Sequence, residues 1–411
     1  MYKNIIDPVT GKKHKTNSVT GKFIVSSYLQ QVGGKLIGSG TYKCAVRPPI
    51  TCGDTPYIYE GDPQNYVTLI TTEVEAAAEK ALYDDIIRHI DPLGDFTLPI
   101  LRMCPISELD PSDGSAEELK ECNIQGTTYP FRGLYLLISK YGGHPIDSEE
   151  ILTKFSDNVV AIFTNFKTLF TGLIKIQESG FAHMDIKPAN ILLNERFEYY
   201  IIDFGLTRKM DDILDEEGFA QTYDPIWPRC LQMVHPHGDE VLTRDIETDQ
   251  RKSPRKLEAI EKLYNEYKGY THHDPDKQEE FKLNTKRKID LYSLGIVMYK
   301  FLYVNMFHRS PYLRSSIGPP LFDLIEKMCE EDPLKRIDLR EAASEFENIV
   351  KLFMPSGGGA GASLSPESVT GRPVAAAVRV VTADSPPPPT SYPTPLAPST
   401  DPFEGVSQSD Y

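Results

Sequence analysis

The stretch that decides the fold reads His183-Met184-Asp185-Ile186-Lys187-Pro188-Ala189-Asn190-Ile191-Leu192-Leu193-Asn194, followed shortly by Ile201-Ile202-Asp203-Phe204-Gly205-Leu206. It supplies an acid at 185, a lysine two residues on, an asparagine five on and a second acid eighteen on. Phosphoryl transfer from a nucleotide needs such a set. One carboxylate orients the attacking hydroxyl and accepts its proton, and a cation sits beside the moving group. A second carboxylate and an amide oxygen hold the metal ions that neutralise developing charge. The competing reading, a polar loop joining two strands by accident, leaves the spacing unexplained.

Together the two strings resemble the catalytic loop and metal-binding strand of eukaryotic-type Ser/Thr protein kinases. The resemblance implies that Asp185 is the catalytic base and Lys187 the phosphate cation, with Asn190 and Asp203 as ligands of Mg2+ and ATP as donor. Lys187 favours Ser or Thr acceptors, since tyrosine kinases of this family usually place Ala-Ala-Arg after the aspartate. The implied architecture is α+β, a bilobal protein-kinase fold: a small β-rich N-lobe, a larger helical C-lobe and the nucleotide between them.

Working outward, Ile37-Gly38-Ser39-Gly40-Thr41-Tyr42 looks like the first part of a kinase Gly-rich loop, where missing side chains let backbone N–H groups approach phosphates. Ala45 follows on the next strand, and Lys140 and Tyr141 in Ser139-Lys140-Tyr141-Gly142 fall where the adenine-contacting hinge is expected. All of these are cofactor-binding candidates. Asp290, in KIDLYSLGIVMY, resembles the buried aspartate that braces the catalytic loop, and Arg336 resembles the late structural arginine.

The pattern also departs from the family. The lysine of a Val-Ala-Ile-Lys strand is missing: the candidate strand is Tyr66 to Ile70, with Thr68 or Leu69 at the expected place. Glu79, in the following helical stretch, still matches the lysine's usual partner. Lys43 stands at the third glycine of G-x-G-x-x-G, which is similar to the with-no-lysine kinases, whose anchoring lysine is moved to that position. A solvent-exposed loop lysine is the plainer alternative. Met184 replaces the arginine of His-Arg-Asp, which argues against control by an activation-loop phosphate. Cys230 stands where the Ala-Pro-Glu glutamate is expected, leaving Arg336 in want of another partner.

Hydrophobic residues make up 40% of the 411 and charged residues 25%, the balance of a globular protein with a large core. A net charge of −15 argues against docking on nucleic acid or an anionic membrane. Protein substrates are the expected partners. Six scattered cysteines show no C-x-x-C spacing; Cys44 and Cys52 lie near enough to meet across a hairpin but read as two reduced structural thiols. With no signal-like N-terminus and no run of about 18 apolar residues found, an intracellular, cytoplasmic location is expected.

The chain divides into a leader over 1–34, an N-lobe over 35–140 and a C-lobe over 141–354. The C-lobe holds an insertion at about 232–288, and a Gly/Pro/Ser-rich tail over 355–411 is expected to be disordered, its proline run open to a partner domain. Spacing predicts a helix over 72–90 with Val74, Ala77, Ala78, Ala81, Leu82, Ile86 and Ile90 on one side, and another over about 155–179. The opening IIDPVTGKK, the run from Tyr28 to Cys52 and IRHIDP at 87–92 together resemble kinases of large nucleocytoplasmic DNA viruses infecting algae and protists, for which the host cytoplasm or the virion is the expected place. Two other readings stand beside the enzyme: a pseudokinase acting as a nucleotide-binding scaffold, and a small-molecule phosphotransferase. The His-x-Asp-x-Lys-Pro-x-Asn form disfavours the latter.

Overall fold

The structure, a computed structural model, describes residues 4–6, 12–15, 18, 35–39, 43–50, 62–106, 122–124, 133–214, 227–234, 254–305 and 315–353. The tail and most of the polar stretch over 105–128 lie outside these.

A small hairpin comes first, β1 (Asn4–Ile6) with β2 (Lys13–Lys15). The N-lobe sheet then takes β3 (Lys35–Ser39), β4 (Cys44–Arg47) and β5 (Tyr66–Thr72). Helix α1 (Glu73–Leu82) follows β5 without a loop. The Thr72 hydroxyl accepts from the Glu75 N–H, and Glu73 and Glu75 face the positive end of the helix dipole, so the strand's last residue is also the helix cap. β6 (Ile100–Pro105) and β7 (Leu134–Lys140) complete an antiparallel sheet in the order β3-β4-β5-β7-β6.

Helical structure continues past α1 through a wider turn at Tyr83–Ile87 to Ile90. Its orientation differs from the one read in the sequence. Val74 is 77% exposed, Ala77, Ala78 and Ala81 face solvent, and the buried positions are Ala76 and Ile87. The reason lies one turn on. Glu79 is drawn inward by Lys43, and a helix cannot turn both Glu79 and the alanine stripe to the sheet.

Asp91, from the IRHIDP string, is buried, and its carboxylate accepts from the N–H groups of Asp95, Phe96 and Thr97 and from the Thr97 hydroxyl, each at 2.9 Å. That acid shapes the loop into β6.

β8 (His144–Pro145) opens the C-lobe. Gly143 precedes it at φ +103°, and a Cβ there would stand 2.1 Å from the Leu193 carbonyl, so only glycine fits. The predicted helix over 155–179 is two helices, α2 (Glu149–Asn165) and α3 (Lys167–Glu178), with a kink at Asn158 and a break at Phe166. Gly180, at φ +83°, ends the second as read. By length and composition Asn158–Glu178 could cross a membrane, where the sequence reading found no such run. Here Ile162, Phe163, Phe166, Leu169, Phe170, Leu173 and Ile176 are buried in the C-lobe core.

β9 (Phe181–Ala182), β10 (Ile191–Leu193), β11 (Tyr199–Ile201) and β12 (Arg208–Lys209) carry the decisive strings between them. Then come α4 (Arg229–Val234), α5 (Pro254–His273), α6 (Pro275–Arg287), α7 (Ile289–Met298), α8 (Gly318–Met328) and α9 (Leu339–Phe353). Every residue of α7 is buried. Phe346 of α9 stacks on Phe170 of α3 with ring centroids 5.3 Å apart, and each such buried ring stabilises the lobe by roughly 1.5–3 kcal/mol. In the insertion, α5 and α6 bury Ile260, Leu263, Tyr267 and Phe281 against Cys230, Met233 and Val234.

Cys230 and Cys329 are free thiols, but Cys44 does not follow the reduced-thiol expectation. Cys44 is disulfide-bonded to Cys122, 78 residues on, and Cys104 is also disulfide-bonded. The first bond ties the strand beside Lys43 to the 122–124 segment, pairing residues too distant in sequence for spacing to reveal.

Candidate active site

Three elements converge on one lysine. Lys43 stands one residue ahead of β4, and Ala45, on the same face by strand alternation, pairs with Leu69 of β5. Lys43 Nζ lies 2.7 Å from Glu79 Oε2 and 2.9 Å from Asp203 Oδ1. The exposed-loop alternative is therefore not what the structure holds: the side chain is 21% exposed, Glu79 16% and Asp203 41%. Of the two residues at the usual lysine place, Thr68 is buried and donates to the Ile50 carbonyl at 3.1 Å. Leu69 packs against Ala76, Ile100 and Leu137, on the α1 side.

Electrostatics follow the geometry. Burial works against the Lys43 ammonium, but the carboxylates of Glu79 and Asp203 outweigh it and hold its pKa above the ordinary value. Burial also pushes Glu79 up, with Lys43 offsetting only part of it. Asp203 would rise with burial too, yet the Lys43 charge prevails and holds it below the usual range.

Below this triad lies the loop that carries Asp185. The Asp290 carboxylate accepts from the N–H groups of His183 at 2.7 Å and Met184 at 2.9 Å. His183 Nε2 donates to the Ile202 carbonyl at 3.2 Å while its Nδ1 accepts from the Asp185 N–H, also at 3.2 Å. That pattern requires the neutral ring, and burial lowers its pKa to about 4. The His183 ring packs 4.7 Å from that of Phe204, joining this loop to the Asp-Phe-Gly turn. Two non-glycine residues here, Met184 at φ +68° and Asp203 at φ +61°, occupy the left-handed region. Such conformations cost roughly 1–3 kcal/mol and persist only where surrounding bonds enforce them.

Asp185 is buried. Lys187 Nζ bonds its Oδ2 at 2.9 Å and lies 2.8 Å from Oδ1, and Asn190 Nδ2 donates to Oδ2 at 2.6 Å and to the Asp185 carbonyl at 3.0 Å. Burial raises the carboxyl's pKa, and Lys187 and Asn190 moderate the rise. Oδ1 is buried, with the Lys187 ammonium as its charged neighbour. Asn190, having spent its amide hydrogens inward, keeps its oxygen. Among the described residues no three His, Cys, Asp or Glu side chains cluster to cage a metal. One amide oxygen and one carboxylate suit Mg2+ instead, a hard cation that keeps phosphate and water oxygens for its other positions.

The remaining candidates are placed less uniformly. Ile37, Gly38 and Ser39 end β3, exposed, with a register shift between Leu36 and Gly38. Gly40, Thr41 and Tyr42 lie outside the described residues. Lys140 ends β7 and is exposed. Tyr141 spends its N–H on the Asn65 carbonyl at 2.8 Å, and its ring lies 3.7 Å under the Arg47 guanidinium. Arg336 is buried and donates to the carbonyls of Glu330 at 2.7 Å, Lys288 at 3.2 Å and Glu331 at 3.3 Å, with Cys230 Sγ at 3.5 Å. Carbonyl dipoles take up much of what the missing glutamate would have supplied. The sequence reading did not single out Trp227, whose indole N–H donates to the Met184 carbonyl at 2.6 Å.

The β-rich N-terminal sheet and the helical part after it make up the bilobal α+β kinase fold. The family model of the protein kinase domain matches residues 147–240, the part that holds both decisive strings. The chain is similar to serine/threonine-protein kinase pakG of Dictyostelium discoideum, 27% identical over 151 residues, which is 35% of this chain and 13% of that protein. It is 25% identical over 195 residues to serine/threonine-protein kinase cds1 of Schizosaccharomyces pombe, covering 43% of this chain and 33% of that one. Cyclin-dependent kinase 12 of Caenorhabditis elegans is 36% identical over 81 residues, 19% of this chain and 11% of its own length. The chain thus spans a third or less of each of these relatives.

Proposed function

We propose that the protein transfers the γ-phosphoryl group of ATP to Ser or Thr of protein substrates, with Lys43 in place of the usual strand lysine. The observation that carries the proposal is the Lys43 ammonium bridging Glu79 and Asp203 at 2.7 and 2.9 Å. In this reading Lys43 binds the donor's phosphates, and Glu79 holds the lysine in the cleft. Asp185 orients the acceptor hydroxyl and takes its proton on the carboxylate, its raised pKa favouring that step. Lys187 neutralises the moving phosphoryl. Asn190 and Asp203 would hold Mg2+, which supplies charge neutralisation on the phosphates when bound.

A pseudokinase is the second reading, favoured by Met184 and Cys230, where the family's arginine and glutamate are absent. The viral resemblance, the host cytoplasm or virion as location, the absence of nucleic-acid and membrane partners and a partner domain for the tail prolines remain parts of the proposal. The deciding experiment incubates purified full chain with labelled ATP, magnesium or manganese, and generic protein acceptors, beside an Asp185→Ala control. Label transfer that disappears in the control supports the enzyme. Nucleotide-dependent thermal stabilisation without transfer supports the scaffold.

A further inference from the structure

The peptide unit joining Met184 to Asp185 is tied at both polar ends. Its N–H donates to His183 Nδ1 at 3.2 Å, and its carbonyl accepts the indole N–H of Trp227 at 2.6 Å. The two preceding N–H groups are held by Asp290. Of these contacts, only the indole comes from the segment leading into α4. Trp227 is buried in an apolar cluster with Ala182, Met184, Ile213, Leu231 and Ile289, so its ring has little freedom to leave. Met184, meanwhile, is in the left-handed region at φ +68°. A non-glycine residue held there relaxes unless its flanking peptides are fixed.

We infer that Trp227 is a positioning residue for the catalytic loop: its indole N–H fixes the Met184 carbonyl and thereby the direction in which Asp185 is presented. The inference rests on the phosphoryl-transfer reading above. Its physical basis is that a reacting group must be held within a fraction of an ångström of its productive place, and small misplacements cost rate rather than binding. Trp227 touches neither donor nor acceptor in this account. Through Met184 it couples the residues at the start of α4 to the base.

The chain's composition makes the test clean, because Trp227 is the single tryptophan among 411 residues. Full-length protein grown in a tryptophan auxotroph with β-(3-benzothienyl)alanine keeps the bicyclic shape at 227 and loses only the N–H. Trp227→Phe is made alongside as a genetically encoded loss of the same donor. The expected result for the analogue protein is a melting temperature lowered by no more than a few degrees for the lost buried bond, an unchanged KM for ATP and kcat lowered about tenfold. A purely structural tryptophan predicts the opposite split: full kcat in the analogue, and a lowered melting temperature in Trp227→Phe. Equal kcat in native and analogue proteins overturns the inference. Should the native protein transfer no phosphate at all, the enzyme reading is what fails. Amide exchange at Met184 and Asp185 then decides the positioning claim: faster exchange in the analogue upholds it, and identical exchange overturns it.

Discussion

Replacing Lys43 by alanine is the perturbation that most directly probes the site. Two contacts are lost at once, 2.7 Å to Glu79 and 2.9 Å to Asp203. At an effective dielectric constant of about 20 each is worth roughly 6 kcal/mol of gross Coulomb energy. Most of that is offset by the cost of taking the charges out of water, and Asp203 is partly exposed, so the net loss of stability should be only about 1–3 kcal/mol. Glu79, already pushed up by burial, loses with Lys43 the main group that offsets the rise, so its pKa should climb further.

Activity should respond far more than stability. An ammonium aimed at the donor's phosphates in a partly dehydrated cleft is an electrostatic stabiliser of the kind whose removal costs roughly a hundredfold or more. That corresponds to about 2.7 kcal/mol of barrier. The assay is label transfer from ATP to a generic acceptor, with kcat and KM measured separately and folding checked by thermal melting. Lys43→Gly restores an ordinary loop glycine and should do no better than alanine, since flexibility is not what is missing. Adding Leu69→Lys in that background should recover part of the loss. Leu69 pairs with Ala45 on the face that Lys43 shares, so a lysine there starts from the same side of the sheet. A Lys43→Ala protein within about threefold of native kcat/KM would refute the reasoning.

Asp185→Ala should abolish transfer while changing stability by less than about 1–2 kcal/mol, read from denaturant melts beside the activity assay. Asp203→Ala should remove the magnesium dependence of nucleotide binding, measured by titration calorimetry with and without chelator, because it deletes the one carboxylate of the metal pair. His183, lowered from 6.5 to about 4, contributes stability present above pH 6.5 and lost as pH falls towards 4. Asp290 is raised by burial from 3.8 to about 6, against the pull of its two amide bonds. On acidification from about 6 to 4 the folded state gains its proton first, so its stability term has the opposite sign. With roughly 3 kcal/mol on each side the two should nearly cancel in urea melts, while transfer falls below about pH 6 as Asp290 releases an amide. In Asp290→Asn the melts should weaken steadily with acid, and an unchanged slope there would contradict the assignment. Reducing Cys44–Cys122, which closes a loop of 78 residues, should cost at most about 4.5 kcal/mol and lower the thermal midpoint; an unmoved midpoint would remove any stabilising role for this bond.

What the sequence made legible was chemistry at fixed spacing. Asp185, Lys187 and Asn190 sit within six residues, and their mutual bonds follow from that proximity. The β5 and β7 strands were legible because short apolar runs bounded by turns have few other uses. The wrong face of α1 was read because alanines outnumber every other signal there, while one long-range ion pair sets the orientation. The single helix over 155–179 broke at Phe166 because both halves bury the same kind of stripe, and periodicity is blind to a change of axis between them. Trp227 carries no motif of its own. Its partner is a backbone carbonyl 43 residues away, and backbone atoms leave no mark in a sequence.

The departures from the family pattern bear most on whether this is an enzyme or a scaffold. A site released from selection for transfer would lose groups without replacement, since nothing maintains the contacts that replacement needs. Here three losses are each met locally. The strand lysine is gone and Lys43 reaches its partners from the neighbouring strand. Met184 stands in place of an arginine and is enclosed by Trp227, Ile213 and Leu231. Arg336, deprived of its glutamate by Cys230, donates to three carbonyls and lies 5.0 Å from the Tyr292 ring centroid. A scaffold would need the last two for folding, but only one that binds nucleotide has a use for the first. The Lys43 ammonium is held between two carboxylates in a cleft, where a buried ion pair is weak evidence of stability and ready binding ground for phosphate. That one replacement, the costliest to arrange and the least useful to folding, is what tips the reading towards a site built for nucleotide phosphates.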